Sequence, residues 1–234
     1  MVVGDFVEEV DVLVIGSGPG GYVAAIRAAQ LGRSVTIVDK AEIGGVCLNR
    51  GCIPSKALIS AANQYQMMKG AAEMGLEATD VKVHFDKVQA WKQGIVDKLT
   101  GGVRSLLKGN QIQVLQGEAF FVDQNVVSVS NEEEGKRLKF KDCIIATGSR
   151  PVELPAFPFG ERILSSTEAL NLQEIPESLV VIGGGYIGVE LGQTYAKFGA
   201  KVTILEGMDR ILPGFSAELS RLVARKLKQD GAEV

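Results

Sequence analysis

The stretch Val10-Asp11-Val12-Leu13-Val14-Ile15-Gly16-Ser17-Gly18-Pro19-Gly20-Gly21 decides the fold. Its first six residues are mostly branched and apolar, the signature of a strand buried in a parallel sheet. They run without a break into a glycine cluster, then an alanine-rich segment through about Leu31, ended by Gly32. Ser34 to Val38 reads as the next strand, and Asp39 follows 18 positions after Gly21. Strand, glycine turn, helix, strand and acid in that order make a complete dinucleotide fingerprint. Gly16 serves the tight turn, Gly18 admits a pyrophosphate to the backbone, and Gly21 lets helix and strand pack closely. Pro19 and Gly20 stand between them at the helix start, whose N-terminus faces the phosphates. The Asp39 carboxylate is placed to accept from ribose hydroxyls.

The pattern recurs. Leu179 to Ile182 enters Gly183-Gly184-Gly185-Tyr186-Ile187-Gly188, and a helix to about Phe198 precedes Gly199, a strand at Lys201 to Leu205, and Glu206. Gly16 to Asp39 and Gly183 to Glu206 both span 23 positions. Two complete fingerprints argue for two nucleotide cofactors. Glu206 would accept from a free ribose 2′-hydroxyl and repel a 2′-phosphate, which favours NAD over NADP. Arg210, a single arginine beyond the acid, does not overturn that preference. Pro151, Pro155 and Pro158 fall within eight residues and can continue neither a helix nor a central strand, so the domain crossover belongs there. The expected fold class is α/β, with two Rossmann-like nucleotide-binding domains at 1–150 and 151–234. Each is a three-layer arrangement of helices on a parallel sheet, with an added antiparallel β segment, and the second is incomplete at its C-terminal end.

Between the fingerprints lies Gly44-Gly45-Val46-Cys47-Leu48-Asn49-Arg50-Gly51-Cys52-Ile53-Pro54-Ser55-Lys56, which holds two of the three cysteines. Five residues of ideal helix rise about 7.5 Å, whereas a disulfide wants Cα atoms within about 6.8 Å. A bridge between Cys47 and Cys52 therefore needs a distorted turn. Gly51 relaxes the backbone there, and Pro54 lacks the N–H that would bond back to Arg50. Two buried thiols or half of a zinc site are the alternatives. Zinc is the weaker, because the other soft ligands, Cys143 and His84, stand at no recognisable ligand spacing.

Bulk composition excludes several classes. A net charge of −3 gives no electrostatic reason for nucleic acid or an anionic membrane surface. No apolar run approaches the roughly 20 residues that span a bilayer. The first residues lack the basic and apolar regions of a secretory signal, and three cysteines are too few for a disulfide scaffold. A reducing, cytoplasmic setting is expected.

The remaining chain is read by periodicity. Ser55 to about Met68 suits a helix, with Met67 and Met68 as core filler. Phe85, Val88, Trp91, Ile95, Leu99, Val103 and Leu106 form one face of a long amphipathic helix whose lysines are solvated. His84 is a surface or capping residue before it. Gln111 to Leu115, Glu118 to Val122, Val126 to Ser130 and Leu138 to Ile145 are strands, with a polar turn at Asn131 to Gly135. Cys143 is a packed thiol. Thr167 to Leu170 suits a short helix, Phe215 to Leu227 an amphipathic one, and Ala232 to Val234 a further strand.

The segment GGVCLNRGCIPSK resembles the redox-active disulfide segment of the pyridine nucleotide–disulfide oxidoreductases, and the resemblance covers essentially the whole chain. Its Pro-Ser-Lys ending is closest to the branch that oxidises dihydrolipoamide for the 2-oxoacid dehydrogenase complexes. The resemblance implies FAD and NAD as cofactors. It makes Cys47 the interchange thiol that reacts with the dithiol substrate and Cys52 the charge-transfer thiol against the flavin. Electrons would pass from substrate dithiol to the Cys47–Cys52 pair, then to FAD, and as hydride to nicotinamide. Lys56 and Glu190 would form an ion pair near the flavin, unless both are simple surface charges. Lys40, Gly44, Gly45 and Val46 join the FAD contacts. Ala146-Thr147-Gly148 would lie against FAD, and Gly117-Glu118-Ala119 would meet the adenine. Tyr186 and Ile187 belong to the NAD site.

The implied partners are a second copy, forming a homodimer, and the lipoyl domain of the acyltransferase core. Relatives continue for roughly as many residues again and carry a His–Glu pair for acid–base work, so this chain is expected to be an N-terminal portion that does not turn over alone. The rival readings are a glutathione or mercuric reductase type and a non-catalytic flavin-binding fragment.

Overall fold

A computed structural model describes residues 7–131 and 135–234. The elements in chain order are β1 (Val7–Ile15), α1 (Pro19–Gln30), β2 (Val35–Asp39), α2 (Gly45–Arg50), α3 (Cys52–Lys69), α4 (Phe85–Gly109), β3 (Gln113–Gln116), β4 (Glu118–Asp123), β5 (Val126–Ser130), β6 (Gly135–Ile145), α5 (Ser166–Ala169), β7 (Ser178–Ile182), α6 (Tyr186–Phe198), β8 (Lys201–Leu205), α7 (Ala217–Gln229) and β9 (Ala232–Glu233). A 3-10 turn occupies Ala71–Met74. The chain divides into two compact units, one of Met1–Cys52 with Val96–Arg150, the other of Ile53–Ile95 with Pro151–Val234. One cut falls at Pro151, where the prolines begin. The others fall inside α3 and α4, so Ile53–Ile95 groups with the second unit.

In the first unit a six-stranded sheet runs in the order β3-β2-β1-β6-β5-β4. β3, β2, β1 and β6 are mutually parallel, and β6, β5 and β4 are antiparallel. This is the expected parallel sheet with its added antiparallel segment. Strand β6 joins the two patterns, because Gly135 to Lys139 pair with β5 while Arg137 to Ile145 run beside β1. Val12 to Ile15 are buried at every position, as a central parallel strand requires. β1 begins three residues earlier than expected because the half-exposed Val7 to Glu9 pair with Arg137 to Lys139. The core gathers Leu13, Val38, Val127 and Leu138, with Cys143 packed against it.

In the second unit β7, β8 and β9 form a parallel three-stranded sheet. One face buries Val202, Ile204 and Ala232 beneath Val189, Tyr195 and Phe198 of α6 and Leu227 of α7. Ala62 of α3 and Phe85 of α4 belong to the same cluster. The Phe85 ring stands edge-on to Phe198, with centroids 5.5 Å apart. Among the described residues no helix is long and apolar enough to cross a membrane.

Several expectations need correction. Met67 and Met68 are exposed, at 58% and 46%. The inward stripe of α3 runs through Leu58 and Ala62 and continues at Tyr65 and Gln66, so both methionines fall off it. On α4 the buried positions are Phe85, Lys92, Val96, Val103 and Leu107, which leaves Trp91, Leu99 and Leu106 at the exposed edge of the apolar face. The lysines of α4 are therefore not all solvated. Lys92 is 2% exposed, and its ammonium donates to the Leu170 carbonyl (2.8 Å) and Asn171 Oδ1 (2.7 Å). Gln89 donates to the carbonyls of Leu170 and Leu172, and the Tyr195 hydroxyl to that of Ala169. The C-terminal end of α5 is thus closed by side chains from α4 and α6. His84 is exposed and its carbonyl accepts the N–H groups of Lys87 and Val88, the expected capping position. The polar turn expected from Asn131 to Gly135 falls largely on residues outside those described.

Burial holds the Lys92 amine below its ordinary pKa. The folded chain then binds fewer protons than the unfolded one just below the ordinary lysine range, and stability rises with pH through that window. Lys92→Met removes the donor of the buried Leu170 carbonyl and of Asn171 Oδ1 and should destabilise by about 1–3 kcal/mol. The same change at exposed Lys98 should stay within about 0.5 kcal/mol. Urea unfolding of both variants between pH 7 and 10 checks the difference. Only the Lys92 variant should lack the alkaline gain.

Candidate functional site

In the first unit the fingerprint turn is shaped by two approaches that no side chain could tolerate. Gly16 has φ 100°, and an added Cβ would lie 2.2 Å from the Ala146 carbonyl oxygen. A Cβ on Gly21 would lie 1.7 Å from the Gly16 carbonyl oxygen, so α1 starts directly over the end of β1. Gly18 is the N-cap of α1, in extended conformation with no side-chain capping bond, and the first turn carries no acidic residue. A Cβ there would meet only the Gly45 Cα, at 3.9 Å. The chain itself hardly needs glycine at this position. An anion resting on the helix N-terminus would.

Asp39 closes the turn from the far end of β2. Its Oδ2 accepts from the Ser17 N–H and hydroxyl, both at 2.6 Å, and its Oδ1 from the Ala41 N–H at 2.9 Å. Ser17 is fully buried. Sequence reasoning passed over it, although a serine beside the first glycine, 22 residues before the acid, was a visible signal. The Ser17 carbonyl in turn accepts the Gly44 N–H at 3.0 Å. This bond and the close packing of Gly45 on Gly18 dock the start of α2, with Val46 exposed in its first turn, onto the fingerprint. The Gly117 N–H donates to the Asp39 carbonyl (2.9 Å), and Lys40 pairs with Glu118 (2.9 Å), which brings Gly117 to Ala119 beside the acid. Ala146 donates its N–H to the Ile15 carbonyl, placing Ala146, Thr147 and Gly148 at the glycine turn. Residues scattered from Gly16 to Gly148 therefore converge on one helix terminus.

The second unit repeats this geometry. Gly183 has φ 102°, and a Cβ on Gly188 would lie 2.3 Å from the Gly183 carbonyl oxygen. Gly185 is an extended N-cap without a side-chain capping bond, with open space where a side chain would be. Tyr186 and Ile187 open α6 with exposed side chains. Glu206 Oε2 accepts from the Gly184 N–H (2.8 Å) and Oε1 from the Met208 N–H (2.9 Å). These donors, Met208 first, hold its carboxyl below the usual range, so the group is anionic at neutral pH. Asp39 and Glu206 thus stand in the same relation to their turns. The residues present fit two dinucleotides, one in each unit.

The dithiol segment is interrupted where the spacing argument requires it. Cys47 lies in α2, which ends at Arg50, and Gly51 breaks the backbone with φ −146° and ψ −106° before Cys52 opens α3. A Cβ on Gly51 would sit 3.1 Å from the Val46 carbonyl and 3.6 Å from the Cys47 Cα, so the chain folds back on the first cysteine at this point. Cys47 is half-buried and Cys52 exposed. Asn49 braces the turn, its amide donating to the carbonyls of Ile43 (3.0 Å) and Gly45 (2.9 Å). Cys143 is half-buried in β6, and burial pushes its thiol up. Lys56, four residues beyond Cys52 on α3, donates to both carboxylate oxygens of Glu190 at 2.8 Å. The expected ion pair is present.

Comparison with known proteins bears on this arrangement. The family model described as pyridine nucleotide-disulphide oxidoreductase matches residues 10–234. The dihydrolipoyl dehydrogenase of Geobacillus stearothermophilus is 61% identical over 234 residues, covering 100% of this chain and 50% of that protein. That of Bacillus subtilis (strain 168) is 62% identical over 231 residues, covering 99% and 49%. The chain spans about half the length of the curated relatives it matches. Among solved structures, the Cu(II) complex of the HOCl-induced flavoprotein disulfide reductase RclA from Escherichia coli superposes with a TM-score of 0.81 at 29% identity, over 97% of this chain and 48% of that one. With paired fingerprints, a broken helix between two cysteines and a family match from Val10 to the last residue, the chain belongs to the pyridine nucleotide-disulphide oxidoreductase family.

Proposed function

We propose that this chain carries the FAD-binding and part of the NAD-binding machinery of a dihydrolipoamide dehydrogenase, which converts dihydrolipoamide and NAD⁺ to lipoamide and NADH. We assign residues 1–150 to the FAD domain and 151–234 to the NAD domain. The observation that carries the reading is the pair of glycine-capped helix N-termini, each facing a locked acid, with a dithiol helix docked on the first.

Gly16, Gly18, Gly21, Asp39, Gly44, Gly45, Gly117, Ala119, Thr147 and Gly148 would hold FAD, and Gly183, Gly185, Gly188 and Glu206 would hold NAD. FAD bound here supplies a two-electron acceptor for the enzyme dithiol, and NAD⁺ the final hydride acceptor. The chemistry of the cysteines follows from thiol–disulfide exchange. A substrate thiolate attacks Cys47 Sγ in the Cys47–Cys52 disulfide, and Cys52 leaves as thiolate. The second substrate sulfur then attacks the first in the mixed disulfide and releases Cys47. One disulfide is lost and one gained, so two electrons move to the protein, leaving Cys47 and Cys52 as thiolates, and the substrate's two thiol protons are released to solvent as its sulfurs attack. Lys56 and Glu190 are assigned as a charge-fixing ion pair. Glu206 disfavours the NADPH-dependent relatives of glutathione reductase type. The lipoyl domain of an acyltransferase core is the proposed source of substrate, and a second copy the proposed dimer partner.

Thiol counting before and after mild reduction should reveal two further reactive thiols, mapped by mass spectrometry to Cys47 and Cys52. Cys143, its thiolate disfavoured by burial, should stay unmodified in the folded chain at neutral pH. A bridge that includes Cys143 would end the assignment.

Glu206→Ala should weaken NAD⁺ binding by roughly ten- to a hundredfold, the scale of a lost hydrogen bond to a charged group. It should also narrow the preference over NADP⁺. Calorimetric titration with both nucleotides reads the two constants, and an unchanged ratio means that Glu206 does not contact the ribose.

A further inference from the structure

The Glu206 carboxylate is held by more than its own two hydrogen bonds. Gly184, whose N–H it accepts, also has its carbonyl engaged, by the Leu212 N–H at 2.8 Å. Leu212 adopts φ 51°, the left-handed region that a residue with a Cβ enters at a cost in free energy. Its own carbonyl accepts from the Phe215 N–H (2.9 Å) and the hydroxyl of buried Ser220 (3.3 Å), so this unfavourable conformation is fixed from both sides. Beside it Ile211 is buried, and its side chain occupies the space over Gly184. A Cβ built on Gly184 would lie 2.6 Å from Ile211 Cγ2 and 3.1 Å from Glu206 Oε2. Ile211 therefore stands against the peptide that holds the carboxylate.

The first fingerprint fixes its acid differently. There the residue after the first glycine is Ser17, whose hydroxyl and N–H both donate to Asp39. Gly184 has no hydroxyl to give, and the packing of Ile211 takes its place.

Resting on the reading of the second fingerprint as an NAD site, we propose that Ile211 and Leu212 are positioning residues that immobilise Glu206 and so make it reject a ribose 2′-phosphate. A free glutamate side chain has three rotatable bonds and can swing away from an incoming phosphate. With one oxygen on Gly184, the other on Met208, and the Gly184 backbone pinned through its carbonyl by Leu212 and backed by Ile211, this one cannot. Its charge stays where the 2′-phosphate would have to sit, and rejection of the wrong ligand comes from a fixed repulsive group. Arg210, the neighbouring cation, is paired with Asp209 at 3.1 Å.

The test measures dissociation constants of NAD⁺ and NADP⁺ for this chain and for Ile211→Ala, Glu206→Ala and Leu227→Ala. Ile211→Ala should narrow the NADP⁺/NAD⁺ ratio at least threefold with Glu206 still in place. Leu227→Ala, which opens the same core from α7, should lower the melting temperature and leave the ratio within twofold. If Ile211→Ala leaves the ratio within twofold while Glu206→Ala narrows it, the positioning role is overturned and the NAD reading stands. Equal narrowing in Leu227→Ala would reduce the effect to general loosening and also overturn it. A ratio unmoved by Glu206→Ala, or no binding of either nucleotide, removes the NAD reading and the proposal with it.

Discussion

In both units the carbonyl of the first fingerprint glycine lies where a side chain on the last would have to be. The built Cβ distances are 1.7 Å at Gly21 and 2.3 Å at Gly188. Any larger residue there would lift the helix off the strand, and the helix N-terminus would leave the end of the sheet. Everything else at the sites depends on that crossing. It sets the first-turn N–H groups of α1 and α6 directly beyond β1 and β7, at helix ends that Gly18 and Gly185 leave without a capping side chain. A glycine N-cap costs a helix only about a few tenths of a kcal/mol against serine or aspartate, and it leaves the first-turn N–H groups of both helices without a side-chain acceptor, facing the space an anion would take.

The dithiol segment inherits its position from the same turn. Gly45 packs against Gly18 so tightly that a Cβ would lie 2.6 Å from the Gly18 Cα, and Gly44 binds the Ser17 carbonyl. α2 therefore starts at a fixed point, and Gly51 ends it six residues later. The Lys56–Glu190 pair contributes little to stability. Its side chains are 59% and 38% exposed, and pairs so exposed contribute about 0–1 kcal/mol. Lys92 is the opposite case, an amine buried among carbonyls that fastens the end of α5 and serves architecture alone.

Much of this was legible in the sequence because the signals are local. A buried strand, a glycine turn and an acid 23 positions on are linked by covalent geometry, so their spacing alone places Asp39 and Glu206 at their turns. The helix break at Gly51 followed from comparing a helical rise with a disulfide span. Side-chain burial along helices was less legible. The apolar positions of α4 describe a face wider than the stripe that is covered, and one residue of rotation, about 100°, separates exposed Trp91 from buried Lys92. Periodicity finds the face but does not say which edge of it meets a neighbour. Met67 and Met68 failed for the same reason, lying beside the inward line of α3.

The least legible feature was the second fastening of each turn. The acids hold the N–H groups of Ser17 and Gly184 from matched positions. The carbonyls of the same two residues are held by Gly44, five residues after Asp39, and by Leu212, six after Glu206. One donor is a glycine at φ 99° and the other a leucine at φ 51°, so neither spacing nor residue type repeats. What repeats is a backbone requirement. A residue at the end of a strand, turned away from the sheet ladder, has both backbone polar groups to satisfy. The acid can accept from its N–H but has nothing to donate to its carbonyl. Some N–H beyond the acid must do that, and the chain after each second strand bends back to supply it. The loops that follow Asp39 and Glu206 are thereby parts of the two fingerprint turns. Their sequences are free to differ, because the bond they owe is made by backbone.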